Sequence, residues 1–196
     1  MGKFVYSCEG ILNAFNPEET WCSQQVTRWC RIVPAKVNIM CWRAIQNRLP
    51  ARSQLAAKGI DIPSVLCPSC LLAIEDVQHV IFKCDVAVEV WKKVAIWHDL
   101  HIPAIDDIPM LLDWVEASIS DAKKRKVVGA IIYTTIWMLL RFRKSIVFKD
   151  PKMKKSLIDD NIFIHSFDWY MNTCACPEDD PRISTGTFGP VNNFLG

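Results

Sequence analysis

The chain has 196 residues, 51% of them hydrophobic and 22% charged, which excludes an intrinsically disordered protein and favours one globular domain or two small ones. Its formal net charge of +2 gives no general argument for a nucleic-acid or membrane partner, so such a partner must be argued from local clusters. Nine cysteines without a signal peptide favour an intracellular, reducing compartment, nucleus or cytoplasm, where thiols bind metal or pack in a core.

The first part of the chain predicts two short helices after an unassigned segment, residues 1–26, in which no period is clear. Apolar residues then recur at helical spacing between Pro34 and Asn47, and these are Val37, Met40, Cys41, Ala44 and Ile45. Pro50 predicts the start of a second helix, and Gly59 stands where a left-handed residue would end it.

Four candidate metal ligands follow in the pattern Cys-x2-Cys-x8-His-x4-Cys, with a spacing that lets all four side chains bind one ion: Cys67, Cys70, His79 and Cys84. A tight turn can direct the first two thiolates at one ion, and the imidazole and third thiolate complete a tetrahedron. A closed tetrahedron leaves no position for water or substrate, so the pattern predicts one structural zinc ion. The alternatives are buried cysteines without metal and a reduced Cys-x2-Cys redox motif.

The spacing of the last two ligands adds a local constraint. His79 and Cys84 are five residues apart, about 140° around a continuous α-helix, so both can face one ion only if the helix breaks between them. We expect the break near Lys83 and an N-cap at Asp85. The helix that follows has an apolar stripe of Val86, Ala87, Val90, Trp91 and Val94, with Glu89, Lys92 and Lys93 facing water.

The second half of the chain predicts three more helices after a linker at residues 99–107. Pro109 suits the first turn of one helix, which carries Leu111, Leu112, Val115 and Ile119. Ser120 or Asp121 caps a long helix that runs to about Phe148. Its apolar run, residues 127–140, spans only about 21 Å and therefore predicts a buried helix and not a membrane span.

A last helix, from about Lys154 to Met171, is expected to bury Ile158, Ile162 and Trp169 beside Phe163, Phe167 and Tyr170. Pro, Gly, Asn and Asp dominate from residue 174 onward and predict a disordered tail. The predicted fold is therefore mainly α, with a small zinc-stapled helical module followed by a packed helical region and that tail. The predicted boundaries are 1–26, 27–98 for the zinc module, 99–107 for the linker, 108–173 for the helical region and 174–196.

The stretch from Trp29 to Trp91 resembles the zinc-binding domain found at the C-terminal end of reverse transcriptases in plant LINE-type (non-LTR) retrotransposons. An ordered series of markers carries the resemblance: Trp29, residues 33–37 (VPAKV), 42–43 (WR), 47–50 (NRLP), Leu55, 59–60 (GI), 67–70 (CPSC), 75–79 (EDVQH), 82–84 (FKC) and 90–91 (VW). Residues 134–137 (TTIW) and 141–143 (RFR) are similar to the helical tail that follows this domain in many plant members, although the Trp often found near Leu140 and the Asn near Lys144 are absent.

This resemblance implies a non-catalytic remnant of a retrotransposon, truncated or domesticated, because the chain has no room for a polymerase or an endonuclease. The nearest echo of the polymerase Tyr-x-Asp-Asp hairpin is residues 157–160 (LIDD), which lie in a helical pattern, so we expect paired aspartates at a helix surface. No catalytic residue is predicted. Cys174-x-Cys176 is a weak metal-binding pattern, and His98, His101 and His165 have no partners at ligand spacing.

Two basic clusters on the long helix are candidate nucleic-acid contacts: Lys123, Lys124, Arg125 and Lys126, and Arg141, Arg143 and Lys144. The other interpretation is a solvated helix with cations near its end. The predicted role is RNA or DNA binding, an expectation that depends more on the resemblance than on charge. The alternative is a zinc-stabilised protein-interaction module. Neither a membrane nor a small-molecule substrate is expected, and the oligomeric state is open.

Overall fold

A computed structural model describes residues 28–150 and 153–174 of the chain. Its α-helices are α1 (Ala35–Ile45), α2 (Arg52–Ala57), α3 (Asp85–Trp97), α4 (Ile108–Ser118), α5 (Ala122–Val147) and α6 (Ile158–Cys174). A π-helical turn (His79–Lys83) precedes α3, and a short 3₁₀ turn (Lys155–Leu157) precedes α6. The described residues contain no strand, only one isolated antiparallel bridge between Leu66 and Ile74. The prediction of a mainly α fold is confirmed.

Proline and glycine set the ends of the first two helices, as the sequence predicts. Pro34 is the N-cap residue of α1, where its missing N–H is not needed. Gly59 follows α2 with φ of +73°, and its N–H bonds Ala56 while the N–H of Ile60 bonds Leu55. These two bonds form a Schellman motif, which satisfies the last carbonyl groups of α2.

Helix α5 is the centre of the fold, because it contacts α1, α3, α4, α6 and the π-helical turn. All residues from Ala130 to Leu140 are buried, and Ile132, Ile136 and Met138 are fully enclosed. The Thr134 and Thr135 hydroxyls donate to the carbonyls of Ala130 and Ile131, so their polar groups are satisfied within the helix. No helix in the described part of the chain is long and apolar enough to cross a membrane.

The orientation of α6 corrects one sequence prediction. Ile158 and Ile162 face the core as expected, and Trp169 is half-buried, but the rings of Phe163 and Phe167 stack on each other in solvent at 57% and 55% exposure. The reason is geometric: a phenylalanine one or five residues after Ile162 lies about 100° or 140° around the helix, away from the buried face.

Asp159 corrects a second prediction, because it is not a surface residue. It is 8% exposed, and its Oδ2 pairs with Lys93 Nζ at 2.5 Å across the contact between α3 and α6. Only Asp160 of the two aspartates faces water. Residues 157–160 therefore serve helix packing, with one carboxylate held by Lys93 of α3.

The buried apolar residues form one continuous cluster that extends from Ile32 to Ile162. This cluster includes residues on both sides of the predicted linker, 99–107. The five-part division of the chain stays a prediction. Its first segment and its tail, with the Cys174-x-Cys176 pattern, fall almost wholly outside the residues whose side chains are described.

Candidate metal centre

A tight loop places the first two cysteines next to each other. The N–H of Leu71 donates to the carbonyl of Cys67, and the N–H of Cys67 donates to the carbonyl of Ala73, each at 2.8 Å. Leu71 takes a positive φ of 60°, which reverses the chain direction after Cys70. The bridge between Leu66 and Ile74 then closes the base of this loop.

A π-helical turn supplies the other two ligands. The N–H of Cys84 donates to the carbonyl of His79 at 2.7 Å, an i+5 to i bond that widens the helix by one residue. Cys84 itself is extended, with φ of −66° and ψ of 139°, so the helix breaks there, one residue after Lys83. The predicted break between the ligands is confirmed, and the wide turn lets His79 and Cys84 face the same point.

The N-cap of α3 is Cys84 and not Asp85, which corrects the sequence prediction by one residue. The extended backbone needed at an N-cap falls on Cys84, because this residue leaves the π-helical turn. Asp85 instead occupies the first turn of α3, where its negative charge is favourable to the helix dipole. The predicted stripe of α3 is buried at Val86, Ala87, Val90 and Val94, while Trp91 is half-buried and donates its indole N–H to the carbonyl of Ile81.

The four candidate ligands meet in one cluster, with their ligand atoms all within 4.8 Å of one another. Sγ of Cys67 lies 4.0 Å from Sγ of Cys84, and Sγ of Cys70 lies 3.3 Å from Nε2 of His79. A tetrahedral zinc ion with bonds of about 2.3 Å to sulfur and about 2.0 Å to nitrogen needs separations of about 3.8 Å and about 3.5 Å for such pairs. The donor set and its spacing therefore fit zinc.

The cluster is closed to solvent on most sides. Cys67, Cys84 and His79 are 1%, 2% and 8% exposed, and Cys70 is half-buried. The backbone N–H of His79 donates to Oδ1 of Asp76 at 2.6 Å, which holds the start of the π-helical turn. Because protein atoms surround the cluster and supply four donors, an ion held there would have a structural role.

Two thiols in the cluster interact directly. The hydrogen bond from the Cys84 thiol lowers the pKa of Cys67 to about 4, and donating that bond raises the pKa of Cys84. Burial opposes the first shift and adds to the second, while backbone N–H groups of Cys70 and Ser69 also favour a thiolate at Cys67. The pairing therefore favours a thiolate at Cys67, the form in which cysteine binds zinc.

A buried ion pair joins the segment that follows the Cys67–Cys70 loop to the central helix α5. Glu75 is 0% exposed, and its carboxylate accepts two hydrogen bonds from Arg143 of α5, at 2.5 and 3.1 Å, and one from the N–H of Arg52 at 2.9 Å. Arg143 also donates to the carbonyl of Pro50. Nothing in the local sequence pattern indicated this pair, since the two residues are 68 positions apart.

The predicted basic residues differ in availability. Lys123, Lys124, Lys126, Arg141 and Lys144 are exposed and form no ion pair among the described residues. The half-buried Arg125 donates to the carbonyl of Ile119. The charge of Arg143 is neutralised by Glu75 inside the protein, which removes it from the side chains free to meet a phosphate.

Residues 6–91 match a protein-family model described as zinc-binding in reverse transcriptase. All four clustered residues fall within the match, which supports a reverse transcriptase zinc-binding domain in this part of the chain. The match starts upstream of Trp29, the first marker recognised in the sequence, and includes most of the segment left unassigned. No curated protein and no solved structure matches the chain.

Proposed function

We propose that the protein is a non-catalytic, zinc-stabilised module that binds RNA or DNA and derives from the reverse transcriptase of a plant LINE-type retrotransposon. One observation carries the zinc part of the proposal. Three sulfur atoms and one imidazole nitrogen gather within 4.8 Å in a buried pocket of the matched domain. One ion would use all four donors, which leaves no coordination position for a reacting water.

The nucleic-acid part is supported by the exposed cations of α5. Lys123, Lys124 and Lys126 lie in the first turns of the helix, and Arg141 and Lys144 lie in its last turns. About 27 Å of helix separates the two groups, so both could contact one phosphate backbone. Cations at the N-terminal end of a helix are disfavoured by the helix dipole, so Lys123 and Lys124 do not stabilise the helix that carries them.

The zinc content tests the first part of the proposal. We expect about one zinc per chain by elemental analysis, and a loss of most of it in the Cys67→Ser plus Cys84→Ser variant, because a hydroxyl is a poor ligand for zinc. Cys30→Ser is the matched control, since its thiol is half-buried outside the cluster. Full zinc retention in the double variant, or no metal in the purified protein, would contradict the assignment.

Salt-dependent binding tests the second part. Fluorescence anisotropy with labelled RNA and DNA should show an affinity that falls as salt rises, because bound cations release counterions from the phosphates. Replacing Lys123, Lys124 and Lys126 with Gln should weaken binding to all sequences alike and flatten the salt dependence. The matched control replaces three exposed lysines elsewhere, Lys58, Lys92 and Lys149.

One observation favours the second candidate, a protein-interaction module. The face of α6 that carries Phe163, Ile164, Phe167 and Met171 is at least half exposed at each of these residues, which is unusual for a run of large apolar side chains. Absence of binding to RNA and DNA at ~50 mM salt, where electrostatic contacts are strong, would select this candidate over nucleic-acid binding.

A further inference from the structure

Three aromatic rings and two cations from three helices form a compact cluster apart from the candidate metal centre. Trp137 of α5 packs against His165 and Trp169 of α6, with ring centroids 5.4 Å apart in both pairs. The rings of His165 and Trp169 stack at 5.2 Å with planes 20° apart. Trp137 is buried, whereas His165 and Trp169 are half-buried and reach the surface.

Two exposed cations lie over the same indole ring. The guanidinium carbon of Arg141 is 4.7 Å from the ring centroid of Trp137, and Nζ of Lys36 is 5.5 Å from it. Neither cation forms an ion pair within the described part of the chain. Because Arg141 is exposed, part of its guanidinium group stays accessible to a ligand in solvent.

The surroundings keep the histidine an uncharged ring. Burial lowers the pKa of His165 most, and the positive charges of Arg141 and Lys36 lower it further. Asp168 acts in the opposite direction and is the acidic residue that faces the histidine. At neutral pH the cluster therefore combines neutral aromatic rings with two cations that pair with no carboxylate in residues 28–150 and 153–174.

We propose that this cluster, Lys36, Trp137, Arg141, His165 and Trp169, is a stacking platform for unpaired bases of a single-stranded nucleic acid. Every base has a flat face that stacks on aromatic rings and on a guanidinium plane, and the phosphates beside it pair with cations. The bases of a duplex are already stacked on each other, so a duplex gains only the charge contacts. This inference depends on the proposed nucleic-acid binding and names its partner as RNA or DNA without a second strand.

The structural alternative is that these side chains only pack α6 against α5. Packing accounts for Trp137, which is 6% exposed, and cation–π attraction accounts for the position of the two cations, but neither requires both cations to stay exposed with no ion pair among the described residues. Cations that lie beside aromatic rings at a surface are the arrangement found in proteins that follow a single strand. The two interpretations differ in what a substitution at the exposed cation does to binding.

The test compares four labelled probes with the full chain loaded with zinc: oligo(U), oligo(dT), a DNA duplex of the same length, and a strand of the same length without bases. We expect tighter binding to the two single strands than to the duplex or the strand without bases. Arg141→Lys keeps the positive charge but removes the planar guanidinium group. Trp169→Phe replaces the indole with a smaller aromatic ring that still packs against α5. Each should weaken binding to the single strands about 5-fold or more, with little change for the duplex.

Phe163→Ala is the matched control, because it removes an exposed aromatic ring from another face of α6. Zinc content and the thermal midpoint verify that each variant is folded. Equal affinity for oligo(U) and the strand without bases, or unchanged binding in both variants, would overturn the stacking platform. The proposed function would still be supported in that case if binding depended on Lys123, Lys124 and Lys126. Binding to none of the four probes would overturn both.

Discussion

At the scale of single residues, the buried pair of Glu75 and Arg143 connects the segment that follows the Cys67–Cys70 loop to α5. The carboxylate is fully enclosed and has three hydrogen-bond donors, two of them on the guanidinium group. Taking two charges out of water is costly, so the pair need not add to stability relative to two apolar residues of the same size. Removing only one partner is different, because the remaining charge stays buried.

We therefore expect Arg143→Met to lower the free energy of unfolding by about 3–5 kcal/mol, since it leaves the Glu75 carboxylate buried and without its cation. Urea denaturation followed by circular dichroism measures this loss. Adding Glu75→Gln to Arg143→Met should recover part of it, because a neutral amide oxygen still accepts from the N–H of Arg52. The control is Arg141→Gln at the exposed neighbour, and an equal effect of Arg143→Met and Arg141→Gln would contradict the prediction.

At the scale of elements, two local features outside regular α-helix and strand geometry position the side chains discussed above. The π-helical turn places His79 and Cys84 on one side, which an α-helical turn of the same residues would not do. The N-cap of α5 sets where the long helix begins, because Oδ1 of Asp121 accepts from the N–H of Lys123 at 2.8 Å. The sequence predicted this cap to within one residue, since Asp is among the strongest cap formers.

Asp121→Ala should lower the free energy of unfolding by about 1 kcal/mol, because the first N–H groups of α5 lose a hydrogen-bond acceptor. Asp107→Ala provides the comparison, since Asp107 is the N-cap residue of α4 but its side chain forms no cap hydrogen bond. Thermal melts of both variants measure the difference. A loss at Asp107 as large as that at Asp121 would show that the cap bond is not the cause.

At the scale of the whole molecule, the candidate metal centre and the helical region share one hydrophobic cluster, and α5 contacts both the π-helical turn and the later helices. Metal binding in a small site contributes folding energy directly, about 10–16 kcal/mol in zinc-finger peptides. Loss of the ion should therefore loosen the loop and the π-helical turn first. The buried pair of Glu75 and Arg143 couples this region to the last turns of α5, so these turns should also lose some protection.

We expect a chelator to increase amide hydrogen exchange mainly in residues 29–98, while α4, α6 and the middle of α5 keep their protection. The region around Arg143 should respond next, because its partner Glu75 directly follows the loop that carries Cys67 and Cys70. Exchange measured by mass spectrometry, with zinc added back as the control, checks this order. A uniform loss of protection across all described helices would count against a separate zinc module.

The sequence by itself determined which four residues meet at the candidate metal centre, several of the helix ends and the mainly α fold, because these depend on residues close in the chain. The spacing of Cys67, Cys70, His79 and Cys84 and the positions of Pro34, Gly59 and Asp121 are local signals. Only the tertiary structure decided that Arg143 is neutralised, that Phe163 and Phe167 face water, and that Trp137 gathers two cations. The neutralisation of Arg143 and the cations around Trp137 depend on contacts between distant segments. Helix α6 has large apolar residues nearly all round, so its periodicity does not predict which face is buried.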